Sequence, residues 1–129
     1  MSSHLDRFVE AQRGVFEQAI EEIAAGNKRT HWMWFIFPQL RGLGQSHRSM
    51  LYGISDLDEA KRYMAHPVLG YRLREATRCV LDGSTSASKI FGEVDFQKFV
   101  SCMTLFSLAS PPGSIFHRGL RDLSVCDEV

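Results

Sequence analysis

The most informative gap in this sequence is one of charge. Over residues 23–55 there is no aspartate or glutamate, while Lys28, Arg29, Arg41 and Arg48 are present with His31 and His47 beside them. Acids elsewhere restore the balance, fifteen Asp and Glu against fifteen Lys and Arg over 129 residues. A net charge of zero argues against nucleic acid as a partner, because the simplest such binder is basic over its whole domain. Cysteine is scarce as well. Cys79, Cys102 and Cys126 are an odd number at wide spacing, which excludes a disulfide framework and a CxxC pair. No apolar run approaches the ~20 residues of a membrane helix, and the first residues lack the pattern of a signal peptide. The expected setting is therefore cytoplasmic, with no membrane partner. The five histidines are never at i,i+4 spacing, and no Cys/His cluster has zinc spacing, so no metal and no cofactor is expected. Repeats and low-complexity tracts are missing too.

What is present is ordinary globular material, 44% hydrophobic and 23% charged. At this length one domain over residues 1–129 is expected. Residues 5–25 carry Leu5, Phe8, Val9, Phe16, Ala19, Ile20 and Ile23 at three- and four-residue steps, which predicts one amphipathic helix. Gly14 lies inside it, a position where glycine costs about 1 kcal/mol relative to alanine and usually marks close packing. Residues 31–37 (HWMWFIF) are apolar throughout. With no second strand to pair with, they read as a short buried helix capped by Thr30 and ended by Pro38. Asp56-Leu57-Asp58-Glu59 has capping-box spacing and opens a helix to about Ala65. Pro67 starts another that runs through Leu81, and a short turn sits at Lys89-Ile90-Phe91. Residues 94–108 form the next helix and 114–123 the last. These patterns predict an all-α, compact single-domain bundle of about six helices with one Gly-rich loop at residues 41–53.

Three constellations bear on chemistry. Gly42-Leu43-Gly44-Gln45-Ser46-His47 starts like a dinucleotide fingerprint, but His47 replaces the third glycine and no βαβ pattern surrounds it. A plain turn fits, and so does a loop whose backbone N–H groups receive an anion. Lys28-Arg29-Thr30-His31-Trp32-Met33-Trp34 puts cations beside aromatics, which suits phosphate with a stacked base or ribose. It equally suits two core tryptophans under solvated cations. If both Trp rings and His31 are buried they need hydrogen-bond partners, and Gln39, Ser46 and Tyr52 are near in sequence. Asp95, Lys98 and Ser101 follow at steps of three on one helix face, either a surface pair at a helix start or an acid/base group in search of a cleft.

Several segments carry a family resemblance. LDRFVEAQ at residues 5–12, GNKRTHWMWFIFPQLRGLG at 26–44, HPVLG at 66–70, IFG at 90–92, and Asp95 with KFVSCMTLF at 98–106 resemble the bacterial family known as domain of unknown function 1810. Some of its members carry an automatic calpastatin label. The resemblance covers about residues 5–108, while the stretch 110–129 departs from the family's usual tail, and Cys102 stands where a small residue such as serine is expected. It implies an all-α single domain and no established activity. A looser similarity links a Trp-bearing early helix and a late Lys-Phe…Met…Leu helix to the NADAR families of NAD and ADP-ribose metabolism. Together these lead to an expected site for a small anionic, nucleotide-like ligand that the protein binds or hydrolyses. In it Lys28 and Arg29 hold phosphate, Trp32 or Trp34 stacks, Gln39 hydrogen-bonds, and Gly42, Gly44 and Ser46 wrap the ligand. Asp95 is the candidate acid/base, tuned by Lys98 or His31. The alternative is a non-enzymatic interaction module whose partner meets residues 23–55.

Overall fold

A computed structural model of the chain describes residues 5–41 and 51–127, with side chains as far as residue 123. Eight helices lie among the described residues: α1 Asp6–Gln12, α2 Phe16–Ala24, α3 Met33–Ile36, α4 Leu57–Ala65, α5 Leu69–Asp82, α6 Ala87–Phe91, α7 Glu93–Leu108 and α8 Ile115–Asp127. No strand is found among them, only an isolated parallel bridge between Leu40 and Ile54. The all-α expectation holds, with more helices than the six expected.

Two of the additions come from backbone chemistry. The helix expected over 5–25 is broken at Arg13-Gly14-Val15, because Gly14 adopts φ +74°, the left-handed region that side chains disfavour. Nothing lies within 4 Å of a Cβ built there, so the glycine serves the turn, not close packing. The short turn at 89–91 extends to α6 and stops at Gly92, also with a positive φ of +80°. The apolar run at 31–37 is helical as expected but only four residues long. Thr30 does not cap it: Trp32 holds that position, and the Thr30 hydroxyl is bonded to Glu22 instead.

Other starts follow their sequence signals. The Asp56 carboxylate accepts the Glu59 N–H at 2.8 Å, while the Glu59 side chain reaches back to the Ser55 N–H at 2.8 Å, one residue beyond the usual capping box. Helix α5 starts at Leu69, two residues after Pro67, because His66 Nδ1 accepts the Val68 and Leu69 N–H groups at 3.1 and 3.2 Å and so caps the start from outside the helix. Gly70 then allows α4 and α5 to meet at their corner, since a Cβ there would sit 2.2 Å from the Met64 carbonyl oxygen.

Helix α7 is the central element. It packs against α4, α6 and α8, and Phe99, Cys102, Met103, Leu105 and Phe106 are buried on more than one of its faces. Aromatic rings bind the layers together. Phe37 meets Phe99 at 5.1 Å, Phe91 meets Phe99 at 5.2 Å, and Tyr63 joins Phe8 at 5.2 Å and Phe106 at 5.3 Å between ring centroids. Such edge-on and tilted pairs are favourable beyond the area they bury. The 31–37 segment is thereby fixed between α7 and α5, with Trp32, Met33, Ile36 and Phe37 inward and Trp34 and Phe35 only partly covered.

Candidate functional site

The start of the acid-free segment is organised by the acid just before it. Glu22 shares the buried stripe of α2 with Ala19 and Ile23 and is 1% exposed. Its Oε1 accepts the N–H groups of Arg29 at 2.7 Å and Thr30 at 3.0 Å and the Trp32 indole N–H at 3.0 Å. Oε2 accepts the Thr30 hydroxyl at 2.6 Å and the Gln18 amide at 3.1 Å. Burial alone raises such a carboxyl, but the bonds from Thr30, Arg29 and Gln18 outweigh it and bring its pKa down from 4.5 to about 2. One carboxylate thus fixes the path of residues 29–32 and satisfies the donor of a fully buried indole.

The cations of the segment find their acid on α7. Lys28 Nζ lies 2.8 Å from Asp95 Oδ2, and Lys98 Nζ lies 3.3 Å from Asp95 Oδ1. Each ammonium also sits over an indole, Lys28 at 5.1 Å from the Trp32 ring centre and Lys98 at 4.6 Å from that of Trp34. The Lys28 backbone N–H donates to the Ile90 carbonyl at 2.9 Å, tying the segment to α6 just ahead of α7. Two ammonium groups share one carboxylate, so the trio keeps one positive charge. Lys28 is nearly covered, whereas the Lys98 side chain remains 23% exposed.

Beside Lys98 is a recess of about 10 Å³, walled by Trp34, Gln39, Tyr52, Gly53 and Lys98 over a floor of Met33 and Phe37. That space admits about one water. Its walls are held from beneath. Gln39 O accepts the Ile54 N–H at 2.9 Å and Ile54 O accepts the Arg41 N–H at 2.7 Å, which makes the Leu40–Ile54 bridge. Arg7 donates to the carbonyls of Leu51 and Gly53, both at 2.9 Å, and Arg41 donates to Gly53 O at 3.3 Å. Glu59 anchors Arg7 at 3.3 Å. Burial raises the Glu59 carboxyl, and the Ser55 N–H and the Arg7 guanidinium more than reverse it, holding it below the usual range.

The structure therefore brings five of the expected residues into one neighbourhood: Lys28, Trp34, Gln39, Asp95 and Lys98. Trp32 lies beneath them with no exposed face, so it offers no surface on which a ligand could stack. Its indole partner is Glu22, not Gln39 or Tyr52. Arg29 and His31 are exposed, and their side chains make no hydrogen bond or ion pair among the described residues. Gly42, Gly44 and Ser46 lie outside the described residues. Sequence reasoning missed Glu22, Arg7 and Glu59. An acid three residues from Ala19 on an apolar stripe was the available signal for Glu22, and nothing local marks the Arg7–Glu59 pair, whose members stand 52 positions apart.

A family described as protein of unknown function (DUF1810) matches residues 2–126, a span that includes the stretch after Ser110. Among solved structures, a conserved hypothetical protein from Mycobacterium tuberculosis is 48% identical and superposes with a TM-score of 0.88. That likeness covers 92% of this chain and 85% of that one. No curated protein matches.

Proposed function

We propose, for a chain that belongs to the DUF1810 family of proteins of unknown function, that it binds a small anionic, nucleotide-like ligand of the ADP-ribose or NAD class at the Lys28–Asp95–Lys98 trio. The observation that carries this reading is the sharing of one carboxylate by two ammonium groups beside a partly exposed indole. Lys98 offers its ammonium to phosphate, Trp34 its ring to a base or ribose, and Gln39 and Tyr52 their polar atoms to the ligand's edge. A recess of about 10 Å³ is too small to enclose a nucleotide, so the ligand lies across its mouth. Asp95 has one oxygen on Lys28 and the other on Lys98. In that position it orients the cations, which supports binding over hydrolysis as the function.

Calorimetric melting with ADP-ribose, NAD, AMP and neutral adenosine tests this reading. A phosphate-bearing ligand at about 100 times its Kd adds about 2.7 kcal/mol, a rise of roughly 8–12 °C for a chain of this size. The rise should vanish in Lys98→Gln and be absent with adenosine. No rise with any of the three anions, or a rise unchanged in Lys98→Gln, overturns it. A second reading, a protein-interaction surface on residues 23–55, is supported by Leu40 and Leu51, two large apolar side chains of that segment that are 36% and 45% exposed. A stoichiometric protein partner lost on Arg41→Glu would favour it.

A further inference from the structure

The HPVLG motif at residues 66–70 takes no part in the trio, yet its Gly70 borders a second concavity alongside α5. Gly70 brings the α4–α5 corner together, and its missing side chain also leaves room above it. Arg74 folds back along α5 so that Nη2 would stand 3.4 Å from a Cβ on Gly70. The guanidinium is thereby held at the wall of an open groove of about 400 Å³, floored by Met64, Pro111, Ile115 and Phe116. That volume lies within the range of small-ligand sites.

The groove wall also carries Glu75 and Arg78, and the acids along this surface of α5 and α8 are already engaged by other arginines. Glu75 is held by Arg78, and Asp82 by Arg118 at 2.6 Å with Arg78 at 3.9 Å. Asp122 is engaged by Arg118 at 3.4 Å. Arg74 has no ion pair or hydrogen bond among the described residues. Of the wall's three charged side chains Glu75 and Arg78 offset each other, so Arg74 leaves the wall one positive charge, a planar fork matched to carboxylate, above an apolar floor. A single cation does not match a polyphosphate, and the floor gives a bare inorganic anion nothing to bury.

We propose that this groove binds an amphiphilic monocarboxylate, its carboxylate on Arg74 and its aliphatic body along Met64, Pro111 and Ile115. The site is separate from the trio and does not depend on what the trio binds. Octanoate is the probe, octanamide its uncharged counterpart, and inorganic phosphate the anion without a body. The readout is the methyl NMR signals of Met64 and Ile115 during titration. Octanoate should move both saturably with a Kd of about 1 mM, as expected for ten heavy atoms. Arg74→Gln should weaken it about tenfold, and octanamide should bind at least tenfold more weakly. Because Arg74 is exposed and partnerless, this variant should keep the parent melting temperature, so a loss of binding reports the site and not the fold. Failure of octanoate to move either signal up to about 20 mM overturns the proposal. So does equal binding of octanamide, unchanged binding in Arg74→Gln, or phosphate competing at the same concentration as octanoate.

Discussion

The two halves of the molecule neutralise charge in different ways. Along α5 and α8 the partners are near neighbours on helical surfaces: Glu75 with Arg78, Arg78 with Asp82, and Arg118 with Asp122 at three- or four-residue steps, plus one cross-helix link from Arg118 to Asp82. In the acid-free segment no such neighbour exists, and every acid comes from outside. Glu22 supplies residues 29–32, Asp95 supplies Lys28, and Glu59 with Arg7 supplies residues 51–55. The first arrangement decorates helices that form for other reasons. The second arrangement makes irregular backbone possible at all, because loop amides and a buried indole must find acceptors once water is excluded.

The comparison breaks first at Glu22. Glu22→Ala strands the Trp32 indole N–H and the amides of Arg29 and Thr30, and should remove about 3–5 kcal/mol in urea unfolding followed by circular dichroism. A loss below about 1 kcal/mol would mean that the outside acids are as dispensable as the surface ones. Next comes acid. Because the folded-state pKa of Glu22 lies below its unfolded value, its contribution is complete above about pH 4.5 and is lost as pH falls toward about 2. The stability gap between the parent and Glu22→Gln should therefore be constant near neutrality and close across that window. A gap that stays open at pH 2.5 contradicts the assignment. The smallest effect belongs to the other region, where Glu75→Ala should move the melting temperature by no more than about 1 °C, and still less at high salt.

The same contrast explains what was legible in the sequence. Helices α4, α5 and α7 begin and end close to where capping residues and periodicity place them, since those signals act within one or two turns. The Asp95–Lys98 pair was visible for the same reason, at a spacing of three. Gly14 was seen as a cost inside a helix when its positive φ ends one, a distinction that spacing does not carry. Lys28 and Asp95 come together only because α6 sets α7 beside the segment, and no pattern in the chain encodes that meeting. Thr30 shows the competition directly. A sound capping residue by type, it was claimed by a carboxylate eight positions earlier.

Trp32 and Trp34 stand two positions apart in opposite surroundings, one sealed against a carboxylate and the other partly open beneath an ammonium. Intrinsic fluorescence from this chain is therefore two signals in one spectrum. Emission from Trp32 follows the integrity of the core and is out of reach of dissolved iodide, whereas Trp34 is within its reach and answers to whatever settles near Lys98. Quenching separates the two without a label, so occupancy and unfolding can be followed in the same cuvette.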